Sequence, residues 1–273
     1  LFVYKKEVII ENNSNKKNKF AVFLLAYTLG NILGLLLFML RILNWIHPGW
    51  GVKIVHPERI PKKLDDGNVL AAPNHPSLVE PLLIPVLWWP RFLFHFDMLP
   101  WSVADLRNYY EKWYWFLARA RIIPMNRIKG KDALGSLDWI SEILNSVGIV
   151  CYFSEGGRTT TEDPKGKEFS FSPLGYGKLR ALKPGIAKLV QENNGKFYIL
   201  PIWVKGAEKF LPNKAGKLYY RLPNIFTEIV IKVGSPFQIS GDSKDKAEII
   251  EEITQKMLAL ADEGETSKSE GEE

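Results

Sequence analysis

The chain has 273 residues, 46% of them hydrophobic, enough for one large core with an appendage. Its single cysteine, Cys151, excludes an intramolecular disulfide and any cysteine-cluster metal site. The formal charge of +6 hides an asymmetry: residues 262–273 carry six acids and one lysine, a net −5, so the rest stands at +11 and calls for an anionic partner, nucleic acid or membrane.

Residues 1–19 are polar and hold Lys5, Lys6, Lys16, Lys17 and Lys19. Residues 20–40, FAVFLLAYTLGNILGLLLFML, form an uncharged run of 21. About 20 apolar residues cross a bilayer as a helix. The run is too long for a cleaved signal peptide, and no small-x-small cleavage site follows it. Two readings stand: one span, or a bend at Gly30-Asn31 and Gly34 that makes a re-entrant pair of short helices. Lysines precede the run and Arg41 and Lys53 follow it, so charge sets no orientation. Trp45, Trp50, Trp88, Trp89, Trp113 and Trp115 strengthen the membrane reading, because tryptophan favours the headgroup zone. Trp139 and Trp203 are assigned to the core. The basic residues surround an apolar run and no RNA-binding or helix-turn-helix pattern is visible, so a membrane surface is expected rather than nucleic acid.

From residue 50 onward strands and helices alternate. Strands are predicted at 52–56, 68–73, 91–96, 121–126, 148–153, 197–204 and 228–237. A helix is predicted to start in 81–89 and an aromatic helix to cover 103–120. Another is predicted at 132–147, with Asp132 as N-cap. Further helices follow at 184–193, with Pro184 in the first turn, and at 243–263, with Ser243 as cap. Cys151 falls in an apolar strand and reads as a buried structural thiol. Residues 159–180 form an insertion without clear periodicity, of the kind that often makes a lid or binding loop. The predicted fold is α/β, a mixed and largely parallel sheet flanked by helices and preceded by a hydrophobic membrane-anchoring helical segment. The predicted divisions are 1–49 for the basic segment and anchor, 50–261 for the α/β domain, and 262–273 for an acidic tail too charged to fold.

Ligands in open α/β sheets lie where strands end, and two loops following predicted strands carry reactive side chains. The first is NHPSLVEP, residues 74–81. His75 and Glu80 are five apart, which on one ideal helix faces them in different directions. Pro76 and Pro81 disfavour one continuous helix. A turn after Asn74 and a new helix starting near Pro81 would put Glu80 at the cap and fold it back on the imidazole. That is a base with its orienting acid; the alternative is a histidine that decorates a polar turn. The second loop is FSEGGRTT, residues 153–160. Its glycines allow close backbone approach to a ligand, and Arg158 offers a fork for phosphate; the alternative is a tight turn with a solvated Glu-Arg pair. Neither a dinucleotide fingerprint nor a P-loop spacing is present.

Taken together and in this order, these loops resemble the motifs of the glycerolipid acyltransferase superfamily. NHPSLVE stands for its Asn-His followed four residues on by Asp, and FSEGGRT for its Phe-Pro-Glu-Gly-Thr-Arg. The stretch IIPMNR, ending at Arg127, and the strand ILPIW, with Pro201, are similar to its two apolar motifs, and LKPGIAKL supplies Lys183 and Gly185. The resemblance covers roughly residues 50–240.

It implies that His75 is the general base for an acceptor hydroxyl and Glu80 its partner. Arg127, Glu155, Gly156, Gly157, Arg158 and Lys183 would serve the glycerol-phosphate acceptor, and Pro201 would shape the acyl-donor region. The donor would be an acyl thioester, acyl-CoA or acyl carrier protein, and the acceptor a lysophospholipid such as 1-acylglycerol-3-phosphate. No metal, other cofactor or covalent acyl-enzyme is implied. The expected place is the cell membrane, with the catalytic domain on its cytoplasmic side. Three departures bear on acceptor identity: Glu80 for Asp, Ser154 for Pro and Gly157 for Thr. They leave two alternatives, a related enzyme with another lipid acceptor and a non-catalytic lipid-binding protein on the same fold.

Overall fold

The computed structural model describes residues 16–64, 67–106, 111, 116–125, 131–146, 148–159, 168–211, 223–241 and 244–265. The apolar run forms one unbroken helix, α1 (Lys16–Ile46). Ala26, Gly30, Gly34, Leu37 and Leu40, three or four residues apart, make its buried stripe, the spacing of one helix face. A Cβ on Gly34 would stand 2.3 Å from Trp89 Cγ. The glycine therefore admits a neighbouring indole and leaves the helix straight through, which removes the re-entrant pair. Tyr27 donates to Leu93 O at 3.1 Å and Asn44 to Glu228 Oε1 at 2.9 Å, so both halves of α1 are tied to the domain. The outer face, with Leu24, Ile32, Leu35, Leu36 and Met39, is exposed.

The domain continues as β1 (Gly51–Val55), β2 (Asn68–Pro73), α2 (Glu80–Leu83), β3 (Trp101–Asp105), β4 (Ile122–Met125), α3 (Lys131–Asn145) and β5 (Ile149–Cys151). Then come β6 (Phe169–Phe171), β7 (Lys178–Arg180), α4 (Gly185–Glu192), β8 (Phe197–Lys205), α5 (Ala207–Phe210), β9 (Glu228–Val233) and α6 (Lys246–Asp262). Seven strands form one sheet in the order β1-β9-β8-β2-β5-β3-β4, and only the β8–β9 pairing is antiparallel. Alternate residues of β2 face opposite layers. Leu70 and Ala72 join the core under α3, α4 and α6, while Val69 and Ala71 join the core under α1 and the 3₁₀ turns at Pro85–Trp88 and Arg91–Leu93. Burial on both faces explains why these strands read as continuous apolar runs.

Several expectations are corrected. Residues 91–96 are no strand but two 3₁₀ turns, in which Phe92 is buried while Phe94 and Phe96 point outward. The aromatic helix expected over 103–120 begins instead as β3, whose pairing with β4 and β5 overrides the helical spacing; Trp113 and Trp115 lie outside the described residues. Trp88 is a fully buried core residue. Asp132 lies inside α3, one residue past its first. Ser243 lies outside the described residues, and Asp245 caps α6 in a capping box with Glu248. The strand expected to 237 stops at Val233, with Phe237 in a single bridge to Ile199. The insertion holds a hairpin, β6 against β7.

The acidic tail does not begin free at residue 262. Asp262 accepts from Ser172 Oγ at 2.6 Å and Leu174 N at 2.8 Å, Glu263 is forked by Arg59, and Glu265 meets Lys232 and Lys205. Cys151 is buried, and burial pushes its thiol well above the ordinary range.

Candidate active site

β2 ends in Pro73, which has no N–H to continue a ladder. Asn74 takes over: its side-chain amide donates to Val204 O at 3.0 Å and accepts from Val204 N at 2.6 Å. The next residue is His75. Its main-chain N–H donates to Glu155 Oε1 at 2.6 Å, and its carbonyl accepts from Thr159 N at 2.8 Å. Both backbone groups of the histidine are thus held by the loop that follows β5.

After Pro76 the chain turns and restarts as α2. The cap position belongs to Val79, and Glu80 is the first helical residue, one place later than the expected cap. The turn nevertheless brings the carboxylate back: Glu80 Oε2 lies 3.1 Å from His75 Nδ1. Glu80 is 0% exposed and His75 8%. With the carboxylate ionised, an acceptor only, Nδ1 is the donor in this contact, and in the neutral ring Nε2 then carries the lone pair. No described residue bonds Nε2. The Phe153 ring packs 4.8 Å from the imidazole centroid and limits its rotation. Glu80 Oε1 is buried without a hydrogen-bond partner among the described residues.

Glu155 was expected among the acceptor-binding residues, and the structure turns it inward. It is 0% exposed. Its carboxylate accepts from His75 N, from Thr159 Oγ1 and, at 3.1 Å, from Arg180 N. Burial pushes its carboxyl up to about 7, against the opposing pull of the Thr159, His75 and Arg180 donors and the Arg180 charge. Its geometry is that of a brace on His75.

Gly156 has φ +65°, a left-handed conformation that favours glycine. The Lys183 stem runs over it, with Cγ 3.0 Å from where a Cβ would be, and Lys183 N donates to Ser154 O at 2.8 Å. Gly157 and Arg158 are half-buried on the same loop. His75, Glu80, Glu155, Gly156, Gly157, Arg158 and Lys183 are therefore carried by two neighbouring turns at the ends of β2 and β5 and the segment packed on them. Pro201 lies below them, paired with Ala72 inside β8 and packed on Gly234. Arg127 lies outside the described residues.

The reading from sequence missed the bracing roles of Asn74 and Thr159. Asn74 beside His75 and the run of threonines were visible, but nothing local shows which backbone groups they reach.

Chemically, a buried imidazole with its Nδ1–H fixed by a carboxylate and its Nε2 unengaged can take a proton from a hydroxyl and hold it as a stabilised imidazolium. Comparison with known proteins adds the following. The family model described as Acyltransferase matches residues 51–205, more than half of the chain. No curated protein matches the sequence. Among solved structures the chain is similar to the 1-acyl-sn-glycerophosphate (LPA) acyltransferase PlsC from Thermotoga maritima. The identity is 17% and the TM-score 0.53, over 94% of this chain and 88% of that one.

Proposed function

Because the chain belongs to the acyltransferase family, we propose that it moves an acyl group from a thioester, acyl-CoA or acyl carrier protein, to the hydroxyl of a lysophospholipid such as 1-acylglycerol-3-phosphate at a membrane surface. The observation that carries this reading is the buried His75 Nδ1–Glu80 Oε2 contact with Nε2 left open. His75 Nε2 takes the acceptor's hydroxyl proton as the oxygen attacks the thioester carbonyl. The tetrahedral intermediate collapses, the C–S bond breaks, and the imidazolium returns its proton to the departing thiolate. The ester and the free thiol are the products. Glu80 keeps Nδ1 protonated and stabilises the imidazolium between the two transfers.

Two further features support the reading. An apolar cleft between α1 and the domain is lined by Leu29, Leu33, Leu82, Val86, Ala104 and Ile122. It opens beside the helix that carries Glu80 and suits a hydrocarbon chain. Phe20–Ile46 is long and apolar enough to cross a membrane, with mean hydropathy 2.1, yet only 22% of its most apolar window is buried. An exposed apolar face of that size marks a lipid or partner contact. With its inner face on the domain along its length, α1 is read as lying in the membrane surface with its outer face in lipid. The domain's proposed side is the cytoplasmic one, where acyl thioesters are met.

The test incubates the purified chain with a radiolabelled acyl thioester and a panel of lysolipids, beside His75→Ala. Transfer to lysophosphatidic acid that vanishes in the variant is expected. Transfer only to other acceptors would favour the related enzyme, and no His75-dependent transfer would favour a lipid-binding protein.

A further inference from the structure

Arg180 was not among the residues expected at the site, and its placement there is unlike a hairpin residue's ordinary exposure. It ends β7, and its main-chain N–H donates to Glu155 Oε2, while the other oxygen of the same carboxylate holds His75 N. One carboxylate therefore bridges the Arg180 and His75 main chains.

The Arg180 side chain lies over the turn. A Cβ built on Gly157 would stand 2.7 Å from Arg180 Nη1 and 3.8 Å from its Cζ, and among the described residues beyond its chain neighbours it would meet nothing else within 4 Å. The guanidinium occupies the space that any side chain at position 157 would need. The motif that this loop resembles has threonine there, so the glycine and the arginine answer each other. Arg180 is half-buried, and its guanidinium makes no hydrogen bond or ion pair among the described residues. Its charge acts on Glu155, but that carboxylate is already filled by three donors. A half-buried guanidinium without a partner, beside the half-buried Arg158 and the stem of Lys183, is a fork waiting for an anion.

We propose that Arg180 binds the anionic headgroup of the acceptor, a phosphate ester, and that Gly157 is the residue that admits it. The rival is that Arg180 serves only as a counter-charge for Glu155. The two differ in what they change. A headgroup contact sets affinity for phosphate-bearing acceptors, whereas a counter-charge changes stability and its pH dependence and leaves that affinity alone. The proposal rests on the acyltransferase reading for the identity of the acceptor, so one of its measurements is independent of turnover.

The probe is sn-glycerol 3-phosphate, with glycerol as control, titrated calorimetrically into the full chain and into Arg180→Gln, Gly157→Thr and the double variant. The same proteins are assayed for transfer to lysophosphatidic acid and to the corresponding uncharged monoacylglycerol. Arg180→Gln keeps the main-chain bond to Glu155. It is expected to raise the Kd for glycerol phosphate, and the KM for lysophosphatidic acid, by about ten-fold or more, the scale of one charged hydrogen bond. The preference for lysophosphatidic acid over monoacylglycerol, as the ratio of the two kcat/KM values, falls by a similar factor. Gly157→Thr does the same by displacing the guanidinium, and the double variant is no weaker than Arg180→Gln alone. Wild-type chain that binds no glycerol phosphate, an unchanged Kd in Arg180→Gln, or additive losses in the double variant would overturn the proposal. Arg180-dependent phosphate binding without any transfer would keep the proposal and remove the acyltransferase reading; His75-dependent transfer indifferent to Arg180 would do the reverse.

Discussion

Along α1 the molecule is held by shape, and around His75 it is held by direction. The α1 seam joins Gly30 and Gly34 to the faces of Leu99, Phe92 and Trp89, with few polar bonds over its length. The His75 turn has both main-chain groups bonded, its imidazole bonded, and its neighbour Asn74 bonded three times, twice through its side chain and once through its main-chain N–H. Shape contacts are non-directional, which suits the lipid-facing wall proposed for α1. Hydrogen bonds fix an orientation, which a proton-transferring group needs. Each region is built from the interaction that fits its task.

The sharpest break falls on the directional side. Glu80→Gln keeps the volume but turns an acceptor-only group into one that can also donate to Nδ1. The wrong tautomer then becomes available, and kcat for acyl transfer is expected to fall by about a hundred-fold or more. Steady-state kinetics beside a check of acceptor KM decide it: a loss confined to KM would place Glu80 in binding.

Glu155→Gln tests the brace. With its folded-state pKa raised from 4.5 to about 7, this carboxyl holds its proton more tightly in the folded chain. Its contribution to stability is fully present below about pH 4.5 and is lost as the pH rises through about 7. Glutamine cannot titrate. Relative to Glu155→Gln, the wild-type chain should lose on the order of 3 kcal/mol between pH 4 and pH 8, measured by denaturant unfolding at a series of pH values. A difference that does not vary with pH would show that Glu155 does not titrate in this window.

The smallest effect is expected on the shape side. Gly34→Ala puts a methyl where Trp89 already is and should cost about 1–3 kcal/mol of unfolding free energy. The cost should shrink when Trp89 is also replaced by Ala. Equal costs in both backgrounds would mean that the contact is not what the glycine serves.

The same division explains what could be read from the sequence. β2, β5 and β8 were legible because strands buried on both faces are apolar throughout, and Pro76 and Pro81 showed that His75 and Glu80 need not share a helix. The resemblance carried by the first and third motifs holds at the level of the family. β3 was missed because its five residues open an aromatic stretch with helical spacing, and only partners about twenty and fifty residues further on make it a strand. Glu155 was assigned to the acceptor because the resemblance of FSEGGRT to the family's third motif implied it. Its inward direction depends on His75, eighty residues earlier. Arg180 was invisible because the hairpin that returns it to the loop carries no periodic signal.

Asn74 has a consequence for motion. Its side-chain amide stands in for a peptide unit, so the β2–β8 ladder runs one rung beyond the proline that should have ended it. The Val204 amide proton is therefore held by the Asn74 side chain, and it is expected to exchange when that side chain leaves the sheet. That makes Val204 a native gauge of how often the turn bearing the proposed base opens, readable as hydrogen exchange at one amide with no probe attached.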